Sequence, residues 1–566
     1  MSPRFGPITV ALTGQLANIL ILSAILALTS SYLILRLYRR AVIKSMRRRG
    51  QSDLLDPKGF LPPEPEHKPH DAPICFKLIT RESLKINPPA AALYHRAIRR
   101  RWGIAVINAI AGCTFAVTMA TAFLSAAKID LSFSRLLFFA WIYAWPMVLA
   151  IDLAVGLSRH GRIIAIAAYF LPGAMVISNL LAIHADLSLG QLLYWWLGAN
   201  VPATLLLLLL LHRHIRAVGP PVLFFMVVSV GGAILMSFFV GSNHMLLHAL
   251  GNLSSSLGLG RAGPVIMVHI LGFALFAIAA WVILGTLRHL YQNKIISEQS
   301  ITIDAVWLLF GIVNSLTLVS QGRWWILSGL TAYVNYRLIA VSLFLVFGIA
   351  PRSQLSGRRL LLLRVFALDR RSEALYDTLG KLWRTVGSMQ VIAGSEQAKT
   401  TIAPHEFLDF VAGKLDRRFI DSWLTLDVLF GRMDLQPDKE GQFRVTEFFC
   451  HDDTWKMALA RLTQDSDAVL MDLRSLSQAN SASVAAIHEL FNAVAVARIV
   501  FVVNNRTDEA YLRQNMQEAW HQLKQRSPNF TSPAGQVSLV DLSGLSRAGF
   551  RNLLYAICAA ATAKSA

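Results

Sequence analysis

Three ionisable side chains stand inside apolar stretches of this 566-residue chain. Arg337 lies near the middle of Trp324–Ile349, and Asp152 and Asp304 lie in two other apolar stretches. A lone cation at mid-depth in a bilayer costs about 2.5–3.5 kcal/mol, so Arg337 should face protein or water and find an acidic partner. Such a pair could line a path for an ion or substrate, or it could fix the register of two helices. The sequence leaves both readings open.

A second set of polar residues follows predicted strands in the C-terminal part of the chain. Ligands of open α/β sheets bind outside the carboxyl ends of the strands, where such residues collect. The sequence therefore predicts a ligand-binding rim. Its members are Asp369, Gly394, His451, Asp472 and Asn504.

Ser483 and Glu489 stand six residues apart on a helix predicted to follow the strand Ala468–Leu473. A carboxylate can stabilise an oxocarbenium-like transition state through hydrogen bonds to a ribose, as carboxylates do in glycoside hydrolysis. A single acid on an otherwise apolar helix fits that role. It also fits an ordinary solvated position.

The elements that must position these residues lie between Gly357 and Ala566. Short aliphatic or β-branched runs alternate there with helical stretches, which is typical of βαβ units and a parallel sheet. The strands are almost continuously apolar, so both faces of the sheet should be covered by helices. We expect a doubly wound α/β domain. Its predicted strands are Leu360–Leu368, Met389–Ala393, Arg444–Cys450, Ala468–Leu473, Arg498–Val503 and Gln536–Asp541.

The stretch Asp465–Val503 resembles the TIR domain: a strand, a serine-rich polar loop, a helix with one acid and another strand. The resemblance covers about 360–505 and implies a flavodoxin-type α/β fold that self-associates. In enzymatic TIR domains the acid at the position of Glu489, preceded by the serine at Ser483, helps to cleave the nicotinamide–ribose bond of NAD. In adaptor TIR domains that acid is dispensable. The resemblance thus implies NAD as a cofactor and leaves enzymatic activity open.

Motifs for other ligands are weak. Ala393–Thr400 is similar to a phosphate-binding loop with alanine in both glycine positions, and an alanine Cβ opposes the tight backbone cradle. Neither a Ser-His-Asp elbow nor a zinc signature is found. Cys75, Cys113, Cys450 and Cys558 have no paired spacing and are expected to be reduced thiols. We therefore expect no bound metal.

Composition and charge point to lipid as the first partner. The chain is 54% hydrophobic and only 16% charged, which excludes the fibrous and disordered classes. Of its 54 Lys and Arg residues, 28 lie in 1–350 against 11 acids, and 26 lie in 351–566 against 23 acids. The excess flanks apolar stretches, where it orients a membrane protein, so we expect no nucleic-acid partner.

Nine apolar stretches are long enough to cross a hydrocarbon core of about 30 Å. If 36–101 is cytoplasmic, the loops on its side carry 22 Lys and Arg residues and those on the opposite side carry five, as the positive-inside rule requires. The N-terminus is then outside and the C-terminus cytoplasmic. The nine stretches are Ile8–Leu35, Trp102–Ala126, Leu136–Leu157, Ile163–Ile183, Leu192–Leu211, Pro221–Phe239, Val265–Leu287, Ile301–Val319 and Trp324–Ile349.

The predicted organisation has four parts: a first transmembrane helix (1–35), a basic and proline-rich cytoplasmic segment (36–101), an eight-helix transmembrane bundle (102–350) and the TIR-like domain (357–566). An excess of 40 Arg over 14 Lys indicates GC-rich bacterial coding and hence an inner membrane.

Three functions are compatible with this organisation. The favoured one is signalling or defence, in which the TIR-like domain forms homo-oligomers, binds a small nucleotide or hydrolyses NAD. The first alternative is a transporter or channel with a nucleotide-sensing regulatory domain. The second is a non-catalytic assembly protein of the cell envelope.

Overall fold

The computed structural model of the chain describes most of the predicted helices and strands. The description covers residues 25–42, 72–79, 88–156, 159–183, 218–241, 243–260, 262–349, 357–363, 370–393, 404–411, 419–420, 422–431, 433–450, 454–474, 481–543 and 547–563, with single residues at 23, 44, 188, 190 and 476.

The chain divides into two compact units. The membrane unit comprises Met1–Leu37, Ile104–Phe347 and Ile402–Leu408, and the α/β unit comprises Tyr38–Gly103, Gly348–Thr401 and Asp409–Ala566. Each unit is therefore assembled from segments that are far apart in the sequence.

The membrane unit is built from apolar helices. Residues 25–42 are helical, and helix α1 (Pro88–Ala126) begins in the α/β unit and continues into the membrane unit. The numbered helices are α1 (Pro88–Ala126), α2 (Phe133–Tyr143), α3 (Pro146–Val155), α4 (Arg159–Ile183), α5 (Gly219–Gly241), α6 (His244–Ser256), α7 (Gly263–Gln292), α8 (Glu298–Leu318) and α9 (Ser328–Val346).

Within the described residues, five helical segments are long and apolar enough to cross a membrane, or six if α2 and α3 together count as one span. This property is typical of a membrane protein. The predicted stretch Leu192–Leu211 and most of Ile8–Leu35 lie outside the described residues.

The predicted single span Leu136–Leu157 is broken into α2 and α3, which meet at an angle of 55°. Pro146 is the first residue of α3. A proline has no backbone N–H to donate, and its ring collides with the carbonyl four residues earlier, so it favours a kink or a break in a helix. The break therefore has a local chemical cause.

Helices α8 and α9 approach closely at two glycines. A β-carbon on Gly311 would lie 2.9 Å from the carbonyl oxygen of Gly329, closer than real β-carbons come to backbone atoms. The hydroxyl of Ser315 accepts a hydrogen bond from the Gly329 N–H at 2.7 Å. Small residues at such a contact let two helix backbones meet, as they do in many membrane proteins.

The α/β unit contains a parallel sheet of eight strands. Their order across the sheet is β1-β8-β7-β6-β2-β3-β5-β4, and every neighbouring pair is parallel. The strands are β1 (Ile74–Leu78), β2 (Arg358–Leu363), β3 (Gly387–Ala393), β4 (Phe419–Ile420), β5 (Val445–Cys450), β6 (Ala468–Asp472), β7 (Ile499–Val503) and β8 (Gly535–Asp541).

Both faces of this sheet are covered. Along β2, Leu361 and Leu363 enter one hydrophobic cluster, and Leu360 and Leu362 enter another, because successive side chains of a strand point to opposite faces. The remaining helices of the chain are α10 (Arg370–Trp383), α11 (Pro404–Val411), α12 (Trp423–Gly431), α13 (Trp455–Gln464), α14 (Ser481–Ala493), α15 (Glu509–His521) and α16 (Arg547–Thr562). Helix α11 begins in the membrane unit, which includes Ile402–Leu408.

Strand β1 comes from the segment 36–101, which was predicted to be a basic and proline-rich segment outside the α/β domain. It pairs with β8 over five residues, from Ile74 beside Gly535 to Leu78 beside Leu539. The indole N–H of Trp520 also donates to the carbonyl of Ala72 at 2.9 Å. The short sequence ICFKL, which follows a proline-rich stretch, gives little sign of a strand on its own.

The first part of α1 also belongs to the α/β unit. Ala90 and Ala97 are fully or almost fully buried in the cluster that contains Leu360 and Leu362. The side chain of Tyr94 packs against Tyr555 of α16, with ring centroids 6.4 Å apart. A segment predicted as a basic loop before the second span is therefore a helix that helps to cover the sheet.

Candidate functional site

The predicted rim lies where the parallel strands end. Strand β2 is flanked by β3 on one side and by β6 on the other. The chain first proceeds from β2 to β3 and later resumes at β6 on the other side of β2. Such a reversal of direction leaves a crevice at the carboxyl ends of the two central strands, and ligands of α/β sheets bind there.

Asp472 ends β6 at this crevice and is held by Arg474. The Nε and Nη2 atoms of Arg474 donate to the two carboxylate oxygens of Asp472 at 2.9 and 2.7 Å. The backbone N–H of Arg474 donates to the same carboxylate at 3.2 Å. Both side chains are about 95% buried (5% and 4% exposed), so each charge depends on the other for its solvation.

Hydrogen bonds connect the loops that follow β6, β7 and β8. The side chain of Asn504 accepts from the N–H groups of Arg506 and Thr507 at 3.0 and 3.1 Å, which closes a tight turn. The hydroxyl of Thr507 donates to the carbonyl of Leu473 at 3.4 Å. The N–H of Asn505 donates to the hydroxyl of Ser543 at 3.2 Å. The three loops thus form one braced surface.

The structure brings two of the five predicted rim residues to this surface, Asp472 and Asn504. Asp369, Gly394 and His451 lie outside the described residues. Sequence reasoning missed Arg474, Thr507 and Ser543. An acid followed two residues later by an arginine, directly after an apolar strand, was a usable signal for the first of them.

Ser483 and Glu489 both lie on α14 and face different surroundings. Ser483 is 4% exposed, whereas Glu489 is exposed to solvent. Six residues turn an α-helix by about 600°, so the two side chains point about 120° apart. On this helix they do not form one compact pair, and any joint role would require a substrate that reaches both.

Arg337 is paired with one of its two predicted partners. Its Nη1 lies 3.5 Å from Asp304 Oδ1, and the Asp304 side chain is fully buried. Asp152 pairs instead with Arg162, whose Nη2 lies 3.0 Å from Asp152 Oδ2. Each of the two membrane acids therefore has an arginine beside it, which favours a role in fixing helix register.

Further polar contacts join α1 to α9. The hydroxyl of Tyr336 donates to Asn108 Oδ1 at 3.0 Å, and the side-chain N–H of Asn335 donates to Thr118 at 3.3 Å. Trp307 of α8 packs against the ring of Tyr336, with centroids 5.1 Å apart. Together with the Arg337–Asp304 pair, these contacts form a polar seam among α1, α8 and α9.

Within the described part of the chain, no group of three or more His, Cys, Asp or Glu side chains is arranged to hold a metal ion. No family model, curated protein or solved structure matches this chain. The candidate site therefore rests on its own geometry.

Proposed function

We propose that this chain is a multi-pass signalling protein of a bacterial inner membrane. In this proposal the nine membrane spans predicted from the sequence anchor the protein or sense a stimulus. The α/β unit is a doubly wound, TIR-like output domain in the cytoplasm. The output is self-association or the binding of a small nucleotide, with hydrolysis of NAD as the enzymatic form of the same function.

The pairing of β1 with β8 is the observation that carries the proposal. Strands of one sheet must share a compartment, so the chain crosses the membrane an even number of times between Leu78 and Arg358. Because 36–101 is rich in Lys and Arg, the positive-inside rule favours the cytoplasm for the whole sheet. The sheet is also connected to the helices through both α1 and β2, as an output domain requires.

The order of the central strands supports the doubly wound fold. Strands β3-β2-β6-β7-β8 follow the flavodoxin-type order 2-1-3-4-5, and β4, β5 and β1 extend this core at its two edges. In such folds the nucleotide binds at the crevice beside the first strand. At that crevice the guanidinium of Arg474 gives its fork of donors to Asp472, and this buried pair holds the end of β6 rigid beside the place where a nucleotide would bind.

The proposed orientation predicts that Cys75 reacts with a membrane-impermeant maleimide only from the cytoplasmic side. Cys75 is exposed on β1, and Cys113, the other exposed cysteine, lies in the apolar part of α1, where lipid should keep a membrane-impermeant reagent away from it. Burial raises the pKa of the Cys450 and Cys558 thiols to about 12, so these two stay protonated and unreactive near neutral pH. Labelling is compared in intact spheroplasts and in inside-out vesicles, and we expect it only in the vesicles.

The Cys75→Ser variant is the control, because it should lose the label without a change in expression. Labelling of Cys75 in intact spheroplasts would place the sheet outside the cell and contradict the proposal.

The enzymatic form of the proposal predicts that the full-length protein in nanodiscs releases nicotinamide from NAD. Glu489→Gln should lower the rate by about 100-fold or more, the usual loss when a catalytic carboxylate is removed. Nicotinamide is measured by chromatography at protein densities that favour self-association.

Glu509→Gln is the matched variant, because Glu509 is also an exposed acid on a helix of the α/β unit. It should retain the wild-type rate. Equal rates in the wild type and Glu489→Gln would remove Glu489 from catalysis. No release of nicotinamide by the wild type would leave binding or self-association as the output.

A further inference from the structure

A cleft lies at the amino end of the sheet, opposite the rim. Its volume is about 580 Å³, within the range of ligand pockets. The first part of α1 forms one wall, and residues at or just before the starts of β2, β3, β5 and β6 form the other. All of these residues belong to the α/β unit.

Four arginines and two aspartates line this cleft, and both aspartates are already engaged. Asp467 accepts hydrogen bonds from Arg358 Nη1 at 3.0 Å and from the N–H of Arg359 at 2.8 Å. Asp465 accepts from Arg461 at 2.6 Å and lies 3.6 Å from Arg359. The negative charges of the two aspartates are therefore offset by Arg358 and Arg359 of the cleft and by Arg461, which lies outside its lining.

The other two arginines of the cleft, Arg96 and Arg100, have no acid assigned to them. They are four residues apart on α1, so they lie on the same face of that helix. Arg100 donates to the backbone carbonyl of Thr385 at 3.3 Å, which fixes its side chain without neutralising it. In the described part of the chain, Arg96 makes neither a hydrogen bond nor an ion pair. The cleft thus carries a surplus of positive charge.

We propose that this cleft binds the phosphate of an anionic phospholipid headgroup through Arg96 and Arg100. The guanidinium fork suits phosphate oxygens, and two arginines at adjacent turns can hold one phosphate between them. The same chemistry would accept a free phosphate ester, so both sources are tested below.

The position of the cleft in the chain favours the lipid. Arg100 lies about one helical turn before Ile104, where the apolar part of α1 begins. Gly357, on the other wall, follows the last apolar helix, which ends at Val346. Basic pockets next to membrane helices on the cytoplasmic side bind anionic headgroups, because the surface potential of that leaflet concentrates them there.

The experiment follows the thermal unfolding of the full-length protein in mixed micelles. Phosphatidylglycerol is titrated into phosphatidylcholine, and in a separate arm glycerol 1-phosphate is added to micelles of phosphatidylcholine alone. A ligand that binds only the folded protein raises Tm, and the ligand concentration that gives a fixed rise, here called the midpoint, changes in proportion to Kd. Arg96→Gln is compared with Arg99→Gln, the same change at an exposed arginine of α1 that does not line the cleft.

We expect phosphatidylglycerol to raise Tm in the wild type and in Arg99→Gln with the same midpoint. In Arg96→Gln the midpoint should move to about tenfold more lipid, because the variant loses one charge-assisted contact with the phosphate. Arg96→Gln/Arg100→Gln should abolish the rise. Arg96 makes no described contact, so the single variant keeps the test valid if the double variant does not fold.

Three results have distinct meanings. An equal rise with glycerol 1-phosphate and the same dependence on Arg96 would assign the cleft to a soluble phosphate ester, which upholds the phosphate site and overturns the lipid as its source. An equal midpoint in the wild type, Arg96→Gln and Arg99→Gln would reveal only general attraction to charge and overturn the proposal. The absence of any rise in the wild type would also overturn it.

Discussion

Replacing Arg337 with leucine is expected to destabilise the membrane unit by about 3–5 kcal/mol, the usual cost of removing one partner of a buried ion pair. The Asp304 side chain is fully buried, and its carboxylate lies 3.5 Å from Arg337. Without the arginine this carboxylate loses the cation that offsets its burial. Unfolding of the purified protein in a detergent series measures the change.

The variant Arg337→Leu/Asp304→Leu separates structure from transport. Removing both charges should restore most of the lost stability, because an apolar pair of similar volume often replaces a buried ion pair without loss. If the pair lined an ion path, this stable double variant would lose ion flux in liposomes. Wild-type stability in the single variant would show that the pair does not hold the helices together.

Replacing Arg474 with leucine is expected to cost the α/β unit a similar amount, about 3–5 kcal/mol, and to weaken nucleotide binding. The side chain donates two hydrogen bonds to Asp472, and both residues are buried at the carboxyl end of the sheet. The variant leaves Asp472 charged and without its main donors beside the proposed nucleotide site. Chemical unfolding and nucleotide titration of the full-length protein measure the two effects.

Arg506→Leu is the matched control for this second prediction. Arg506 lies in the loop after β7, near the same end of the sheet, and its side chain is exposed. A surface change of this kind should alter stability by no more than about 0.5 kcal/mol. Similar losses in the two variants would mean that the Arg474–Asp472 pair has no special role.

The strands of the α/β unit could be predicted because most of them are aliphatic runs with polar residues at both ends. The run Arg498–Val503 became β7, and Ala468–Leu473 became β6, each within one residue at either end. The order of such runs along the chain also indicated where the strands would end, and β6 ends at Asp472.

Other parts of the fold carry too little local signal to be predicted. Strand β4 has only two residues, and β1 has five, one of them a lysine. Their pairing depends on β5 and β8, which stand elsewhere in the sequence. Periodicity within a short segment cannot reveal a partner that is hundreds of residues away.

Among the site residues, too, some could be predicted from the sequence and others could not. Depth in the membrane could not decide whether Asp152 or Asp304 pairs with Arg337, because both lie nearer the cytoplasmic face in the predicted topology. The close contact of α8 with α9 at Gly311 and Gly329 decides it, since it aligns Asp304 with Arg337. The arginine cleft was missed because its two walls are separated in sequence by the whole set of apolar helices.

The place of β1 in the sheet also affects how the protein is made. Ile74 leaves the ribosome about 460 residues before Gly535, its neighbour in β8. At about 5–20 residues per second, the early strand waits roughly 20–90 s for its partner. If the apolar helices cross the membrane as proposed, an even number of crossings must be completed in that interval, or the two strands lie on opposite sides of the bilayer. A chain with an odd number of crossings could not close its sheet and would expose an open strand edge to chaperones and proteases.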